Sequence, residues 1–180
     1  AAPKTVRDRD PANVWLARQN RFRLDAEVVR DTALSVAGLL SSQVGGPSVK
    51  PYQPEGVWES IAMNVSNTRV YQRDEGDSLY RRSLYTFWKR QAPPALMDVF
   101  NAPSREVCTV RRERSNTPLQ ALATLNDVTF LEAARALGAR REAELVHLAQ
   151  RLLEGGEAAR AQQVLEGLLA SSPTRREWVA

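Results

Sequence analysis

The sequence predicts a mainly α-helical domain with a small two-stranded β element. Apolar residues recur at three- and four-residue spacings over much of the chain, which is the pattern of amphipathic helices. A strong helix-start signal lies at residues 117–120. Residues 68–72 and 83–88 are instead rich in β-branched and aromatic side chains, which favours strands. With 180 residues, of which 43% are hydrophobic, the chain is long enough to bury a core of its own.

Four segments have the helical pattern, and their boundaries follow from breakers. A Gly-Gly-Pro turn stops the first segment, and Asn126-Asp127 predicts a break or kink inside the second. The last two are joined at Gly155-Gly156. The predicted segments are residues 13–44, 117–138, 141–153 and 158–169.

The start of the second segment is the clearest local signal in the chain. Thr117 can cap a helix, and Pro118 suits the first helical position because its missing N–H needs no partner there. Gln120 lies three residues after the cap, where its side chain can bond back to the cap residue. We therefore predict a capping box that begins a helix at Pro118.

The β element is predicted as a ribbon of residues 68–72 and 83–88, separated by an acidic loop. A lone hairpin is marginally stable, so we expect the ribbon to pack on helices. Shorter helical turns are predicted at residues 57–63 and 96–100.

Domain organisation is predicted in three parts. Residues 1–12 are polar and read as a linker tail, residues 13–138 as the folded domain, and residues 139–180 as a helical extension. Thr174 and Glu177 have capping-box spacing and start a helix close to the last residue. We therefore expect the chain to be a piece of a longer protein.

The composition argues against a membrane span, a signal peptide and several kinds of site in this chain. No apolar stretch has the length of a membrane span, and the first residues are not those of a signal peptide. One cysteine, Cys108, and one histidine, His147, exclude an internal disulfide, the usual Cys/His metal sites and covalent haem attachment. These two residues are the sole Cys–His pair and fall on separate predicted elements, so we predict no catalytic residue, no metal site and no cofactor in this chain.

Basic residues are concentrated in one region. Residues 80–127 contain eight basic and four acidic side chains, a net charge of +4 that equals the charge of the whole chain. Arginines next to a helix N-terminus suit an anion, because the guanidinium groups and the free N–H groups both donate. The candidate anion-binding residues are Arg81, Arg82, Arg111, Arg112, Arg114 and Thr117.

The alternative use of these arginines is internal. They can pair with Glu106, Glu113 and the acidic residues of the first helix, and ion-pair networks are the more frequent use of mixed charges. No phosphate-binding glycine loop accompanies them. A net charge of +4 is also modest for a nucleic-acid-binding protein, so we do not expect nucleic acid as the partner.

An aromatic platform is a second candidate site. Tyr85, Phe87 and Trp88 lie in the same predicted strand and could stack sugars or bases. In a strand, Tyr85 and Phe87 would share one face and Trp88 would lie on the other. The alternative is that these rings belong to the core, as buried aromatic residues usually do.

Three stretches together resemble a known family. Residues 10–49, 66–127 and 132–137 are similar to a planctomycete-type domain of unknown function, number 1553, found toward the C-terminus of large exported bacterial proteins. The resemblance implies an exported, cell-envelope setting and a preceding portion of the same protein as partner. It places any haem on another domain, and it implies no catalytic residue.

Two functions therefore stay open. The first is a non-catalytic interaction or assembly module that binds an anionic glycan or an acidic protein. The alternative is a part of a carbohydrate-active enzyme, whose site this chain shares with a preceding portion.

Overall fold

A computed structural model describes residues 4–19 and 22–171, and this part of the chain is mainly helical. The short helix α1 and the longer α2 precede a long irregular region that contains two 3₁₀ turns, Gly76–Tyr80 and Ser83–Tyr85. Four further helices follow. The helices are α1 Lys4–Arg9, α2 Ala26–Ala37, α3 Ala95–Val99, α4 Pro118–Asn126, α5 Val128–Glu154 and α6 Ala158–Ser171.

Helix α5 is the centre of the arrangement, because it packs against α2, α4 and α6. The core lies where α2, α3 and α5 meet: Ala26, Met97 and Phe100 are buried, and the Phe130 ring meets Phe100 edge-on at 6.4 Å. Helices α5 and α6 pack against each other, and each contains a buried alanine, Ala149 on α5 and Ala161 on α6.

The predicted β element is wrong. No strand occurs in the described residues; residues 83–85 form a 3₁₀ turn and residues 68–72 have no regular structure. The backbone groups of the second segment pair with the loop after α2 instead. Val49 donates to the Tyr85 carbonyl at 2.8 Å and accepts from Phe87 at 2.7 Å, which makes an isolated bridge. The aromatic residues therefore lie along an irregular segment whose 3₁₀ turn packs against α2.

The first predicted helix is much shorter than expected: among the described residues of the range 13–44, only Ala26–Ala37 is helical. Asp10 explains the irregular start, because its carboxylate accepts hydrogen bonds from the Val14 and Trp15 N–H groups, each at 2.9 Å. Gly38 explains the early end: with φ at 76° it occupies the left-handed conformation that closes a helix.

Other boundaries agree with the sequence in part. The break at Asn126-Asp127 is confirmed, and the Asp127 carboxylate caps α5 by accepting from the Thr129 N–H at 2.9 Å. The Gly155-Gly156 joint and the turn at residues 96–100 are confirmed. Residues 57–63 form turns, and α5 does not stop near Gly138. Packing on α2 and α6 outweighs the cost of one helical glycine, which is about 1 kcal/mol. The helix predicted at residue 174 lies outside the described residues.

Arg30 ties the irregular region to α2. Its side chain is 2% exposed and donates to the Leu79 carbonyl at 2.6 Å, the Arg81 carbonyl at 2.9 Å and the Ser83 hydroxyl at 3.2 Å. Asp31 completes the contact, because its carboxylate accepts from the Ser83 N–H at 2.8 Å and from the Ser83 hydroxyl at 2.7 Å. No helix in the part of the chain that the structure describes is long and apolar enough to cross a membrane.

Replacing Arg30 by Ala should remove about 3–5 kcal/mol of unfolding free energy, because buried carbonyls lose their charged donor. The measurement is urea unfolding followed by circular dichroism. The matched control is Arg82→Ala: this exposed side chain makes no hydrogen bond in the described structure, so its change should stay within about 0.5 kcal/mol. An Arg30→Lys variant, which keeps the charge, should lie between the two. A loss below about 1 kcal/mol for Arg30→Ala would contradict this role.

Candidate functional site

The segment between α3 and α4, residues 102–114, forms a loop whose two ends are joined. We refer to it as the arginine loop. Asn101 Nδ2 donates to Ser115 Oγ at 2.6 Å across the base of the loop. Gln120 Nε2 reinforces this base by donating to Ser115 Oγ and to the Val99 carbonyl, each at 3.0 Å. Compact loops with joined ends are frequent sites of function, since the scaffold holds them in place.

Further contacts hold the two sides of the loop. On the first side, the indole N–H of Trp88 donates to the Ser104 carbonyl at 3.1 Å, and the Arg105 guanidinium lies 4.3 Å from the Trp88 ring centroid. On the second side, Arg112 and Arg114 reach acidic residues at the start of α2.

Two of the arginines that the sequence predicted for anion binding form internal ion pairs instead. Arg112 Nη1 lies 2.7 Å from the Glu27 carboxylate, and Arg114 Nε lies 3.2 Å from the Asp25 carboxylate. Both arginine side chains are more than two-fifths exposed, so each pair contributes at most about 1 kcal/mol. Their effect is to orient the loop relative to α2.

Arg111 differs from these neighbours. It is exposed and makes no hydrogen bond or ion pair with the described residues. It lies in a surface depression of about 820 Å³ that residues 110–115 line. Two apolar residues lie on the same loop, since Val110 is fully exposed and Val107 is 72% exposed.

Arg81 and Arg82 do not join this surface. Arg81 is 2% exposed, and its guanidinium donates to the Pro47 carbonyl at 2.8 Å and to the Gly45 carbonyl. The same guanidinium lies 4.0 Å from the Tyr85 ring centroid. Arg82 lines a separate depression beside α2.

The predicted capping box is present at Thr117. The Thr117 hydroxyl accepts from the Gln120 N–H at 3.3 Å, and Gln120 Oε1 accepts from the Thr117 N–H at the same distance. Arg23 also donates to Gln120 Oε1, at 3.0 Å. Thr117 therefore caps the helix itself, and Gln120, which the sequence predicted only as part of the cap, also closes the base of the arginine loop.

The three predicted platform rings have different neighbours. Tyr85 lies against Arg81 and accepts a hydrogen bond from the Gly45 N–H at 2.9 Å. Phe87 lies 5.6 Å from the buried Trp58 ring, and Trp88 packs on the core below Arg105. The prediction that Tyr85 and Phe87 share one face of a strand is wrong, because the segment is not a strand.

A second cluster was not predicted, and it contains two tyrosines that share one carboxylate. Tyr52 donates to Glu132 Oε1 at 2.5 Å, and Tyr80 donates to Glu132 Oε2 at 3.2 Å. The hydrogen bond to Glu132, together with burial, raises the pKa of Tyr52 to about 12. Burial and the Glu132 charge likewise raise the pKa of Tyr80. Tyr52 and Glu132 are 80 positions apart, so no local sequence pattern reveals the cluster.

Cys108 and His147 stay on separate elements. Cys108 is exposed on the arginine loop, and His147 is exposed on α5 in a depression with Arg141 and Leu148. Among residues 4–19 and 22–171, no group of three His, Cys, Asp or Glu side chains is arranged to hold a metal ion.

Replacing Thr117 by Ala should lower the unfolding free energy by about 1 kcal/mol, because the first turn of α4 loses its side-chain acceptor. Differential scanning calorimetry would report this as a lower melting temperature. Thr124→Ala is the control on the same helix, since the Thr124 hydroxyl only bonds back to the Ala121 carbonyl. Equal effects of the two substitutions would contradict the capping role.

The Tyr52 cluster predicts a loss of stability at high pH. Because the folded pKa of Tyr52 is raised to about 12 from an ordinary 10.0, its stabilising effect is complete below pH 10 and is lost as the pH rises toward 12. Ultraviolet absorbance should show a tyrosine transition near pH 12 that Tyr52→Phe removes. Glu132→Gln should move this transition to lower pH, and an unmoved transition would contradict the assignment.

Comparisons with known proteins identify the family of the chain. Searches of curated proteins and of solved structures found no match. A family model described as PSD1, protein of unknown function (DUF1553), matches residues 1–180. This match confirms the resemblance of residues 10–49, 66–127 and 132–137. The chain belongs to the DUF1553 family of proteins of unknown function.

Proposed function

We propose that this chain is a non-catalytic interaction module and that the arginine loop is its contact element. The observation that carries the proposal is the combination of a fixed base with an unpaired tip. Asn101, Ser115 and Gln120 hold the base, whereas Arg111 has no partner among the described residues. A loop that is already ordered loses little conformational entropy when it binds, which favours recognition.

The partner that best fits this loop is a protein segment that carries carboxylates beside apolar side chains. Arg111 offers a planar set of donors for a carboxylate. Val107 and Val110 offer apolar surface, which a protein segment covers better than a glycan does. Around the loop, Glu106 and Glu113 offset part of the positive charge, so a highly charged polyanion is a poorer match.

The setting of the module follows from the family resemblance and is part of the proposal. We propose an exported protein of the cell envelope, in which a preceding portion of the same protein contacts this chain. The outer face of α4 supports such a contact: Leu119, Leu122 and Leu125 are each more than half exposed, and exposed apolar surface of this kind is often buried in interfaces. Any haem would belong to another domain of the parent protein.

The test is a binding experiment with defined probes. The immobilised chain would be exposed to synthetic peptides with graded numbers of acidic and apolar residues, to sulfated and uronate oligosaccharides, and to single-stranded DNA. We expect peptides that combine both residue types to bind. Arg111→Ala and Val110→Ser should each weaken binding about tenfold, a loss of about 1.4 kcal/mol.

The controls are exposed residues of the same type elsewhere. Arg141→Ala on α5 and Val44→Ser, at a position that is 81% exposed, should leave peptide binding unchanged. If the oligosaccharides bind and the peptides do not, the partner of the arginine loop is an anionic glycan and not a protein segment. Binding of DNA alone, or of no probe at all, would contradict the proposal.

A further inference from the structure

The backbone at the tip of the arginine loop is open to water. Every residue from 104 to 114 is exposed, and the peptide groups of residues 107–114 make no hydrogen bond with any part of the chain that the structure describes. A protease binds its substrate as an extended segment, through hydrogen bonds to the main chain. Exposed loop tips without backbone hydrogen bonds are therefore preferred sites of proteolytic cleavage.

The four arginines of the loop differ in how freely their side chains could enter a protease. An arginine-specific endopeptidase pairs the guanidinium with a carboxylate in its specificity pocket, so the side chain must be free to turn outward. The Arg105 guanidinium lies 4.3 Å from the Trp88 ring centroid. Arg112 and Arg114 are ion-paired with carboxylates at the start of α2. Arg111 alone of the four has no such contact in the described structure.

The position of Arg111 in the loop also favours cleavage after it. The loop residues on both sides of the Arg111–Arg112 bond are exposed, so this part of the chain can adopt an extended form without disturbing the helices. The bond after Arg114 leads instead to Ser115, which is fixed at the base of the loop. The Arg111–Arg112 bond is therefore the most accessible of the arginine bonds in this loop.

Arginines elsewhere in the described structure differ from Arg111 because local hydrogen bonds restrain their backbone. A helix must unfold locally before its peptide bonds can enter a protease, which costs free energy. In the irregular region the Arg69 N–H donates to the Ser66 carbonyl at 3.2 Å, and the Arg82 carbonyl accepts from the Tyr85 N–H at 2.9 Å. We therefore expect cleavage after Arg111 to precede cleavage at these positions.

The helices that form the core lie on both sides of the Arg111–Arg112 bond. Residues 1–111 include α2 and α3, and residues 112–180 include α4, α5 and α6. Across this division α2 packs against α5 and α3 packs against α4. The Phe100 and Phe130 rings also meet across it, at 6.4 Å. Because these contacts do not involve the tip of the loop, the two pieces should remain together as one folded unit.

We propose that the Arg111–Arg112 bond is a regulatory cleavage site, at which an arginine-specific endopeptidase inactivates the contact element without unfolding the chain. Water hydrolyses the peptide bond: its oxygen forms the new Arg111 carboxylate, and the Arg112 nitrogen becomes a terminal ammonium group. A carboxylate on Arg111 repels an acidic partner, and the cut separates Val110 from one side of the fixed base. This loss of binding rests on the function proposed for the arginine loop, whereas the site of cleavage does not.

The test is brief digestion of the whole chain with a trace of trypsin, followed by mass spectrometry. Among the bonds between residues 22 and 171, the Arg111–Arg112 bond should be cleaved first. The pieces 1–111 and 112–180 should then elute together in gel filtration, at the volume of the uncut chain. The cut chain should lose affinity for the acidic and apolar peptides at least about tenfold.

Variants identify the side chain that the protease recognises. Arg111→Gln should slow cleavage of the loop about fivefold, because the protease must then use an arginine that is ion-paired or stacked on a ring. Adding Glu27→Gln to this variant frees Arg112 from its ion pair and should restore part of the rate. Arg141→Gln, at an exposed position on α5, is the control and should leave the rate unchanged.

The outcomes distinguish this proposal from the proposed function. A first cut at another bond between residues 22 and 171, or pieces that separate in gel filtration, would overturn the cleavage site. A cut chain that binds the peptides as tightly as the uncut chain would overturn its regulatory role. If the uncut chain binds no peptide, the proposed function and the regulation that rests on it both fail, while the cleavage site is still decided by the digestion.

Discussion

The buried guanidinium of Arg30 is the interaction on which the rest of the structure depends. Between α2 and α3 the described residues contain 3₁₀ turns and loops, and such a segment has backbone groups without the ladder partners of a helix or sheet. Arg30 supplies donors to two of these carbonyls and to the Ser83 hydroxyl from a single side chain. Burial lowers the pKa of Arg30, and the Asp31 charge opposes this effect. An arginine keeps its charge there because its ordinary pKa is very high.

A second consequence is that residues of α2 and its N-cap contact three different regions of the chain. Ala26 contributes to the core with Met97 and Phe100. Arg30 and Asp31 hold the segment around Ser83. The acidic residues at the start of α2, Asp25 and Glu27, orient the arginine loop. Acidic residues at a helix start also interact favourably with its dipole, so these carboxylates stabilise α2 and position the loop at once.

Elements with local signals were predictable from the sequence. The capping box at Thr117, the break at Asn126-Asp127 and the Gly155-Gly156 joint each depend on residues within a few positions, and all three are present. The β ribbon failed because β-branched and aromatic residues at 83–88 indicate a half-buried surface rather than a strand. Their backbone partners, in the loop around Val49, are more than 30 positions away.

The candidate sites also differ in whether a local sequence signal predicts them. The sequence indicated the arginine cluster, and it indicated that acidic residues of the first helix were alternative partners; the structure assigns Arg112 and Arg114 to those partners. The sequence could not show that Arg111 differs from Arg112 and Arg114 in lacking an acidic partner. Adjacent residues of an irregular loop point in directions that no periodicity of the sequence predicts. The cluster of Tyr52, Tyr80 and Glu132 was missed for a stronger reason, since its residues are unremarkable singly and are up to 80 positions apart in the sequence.

The proposed contact element combines two effects of opposite sign. Val107 and Val110 are exposed, and each gains free energy when a partner removes its side chain from water. The Arg111 guanidinium instead loses hydration in the same contact, so it stabilises a complex only where a partner carboxylate pairs with it. The hydrogen bonds of Asn101 and Gln120 to Ser115 already order the base of the loop, which reduces the entropy that binding must remove. Recognition therefore requires a partner that presents a carboxylate and apolar side chains together.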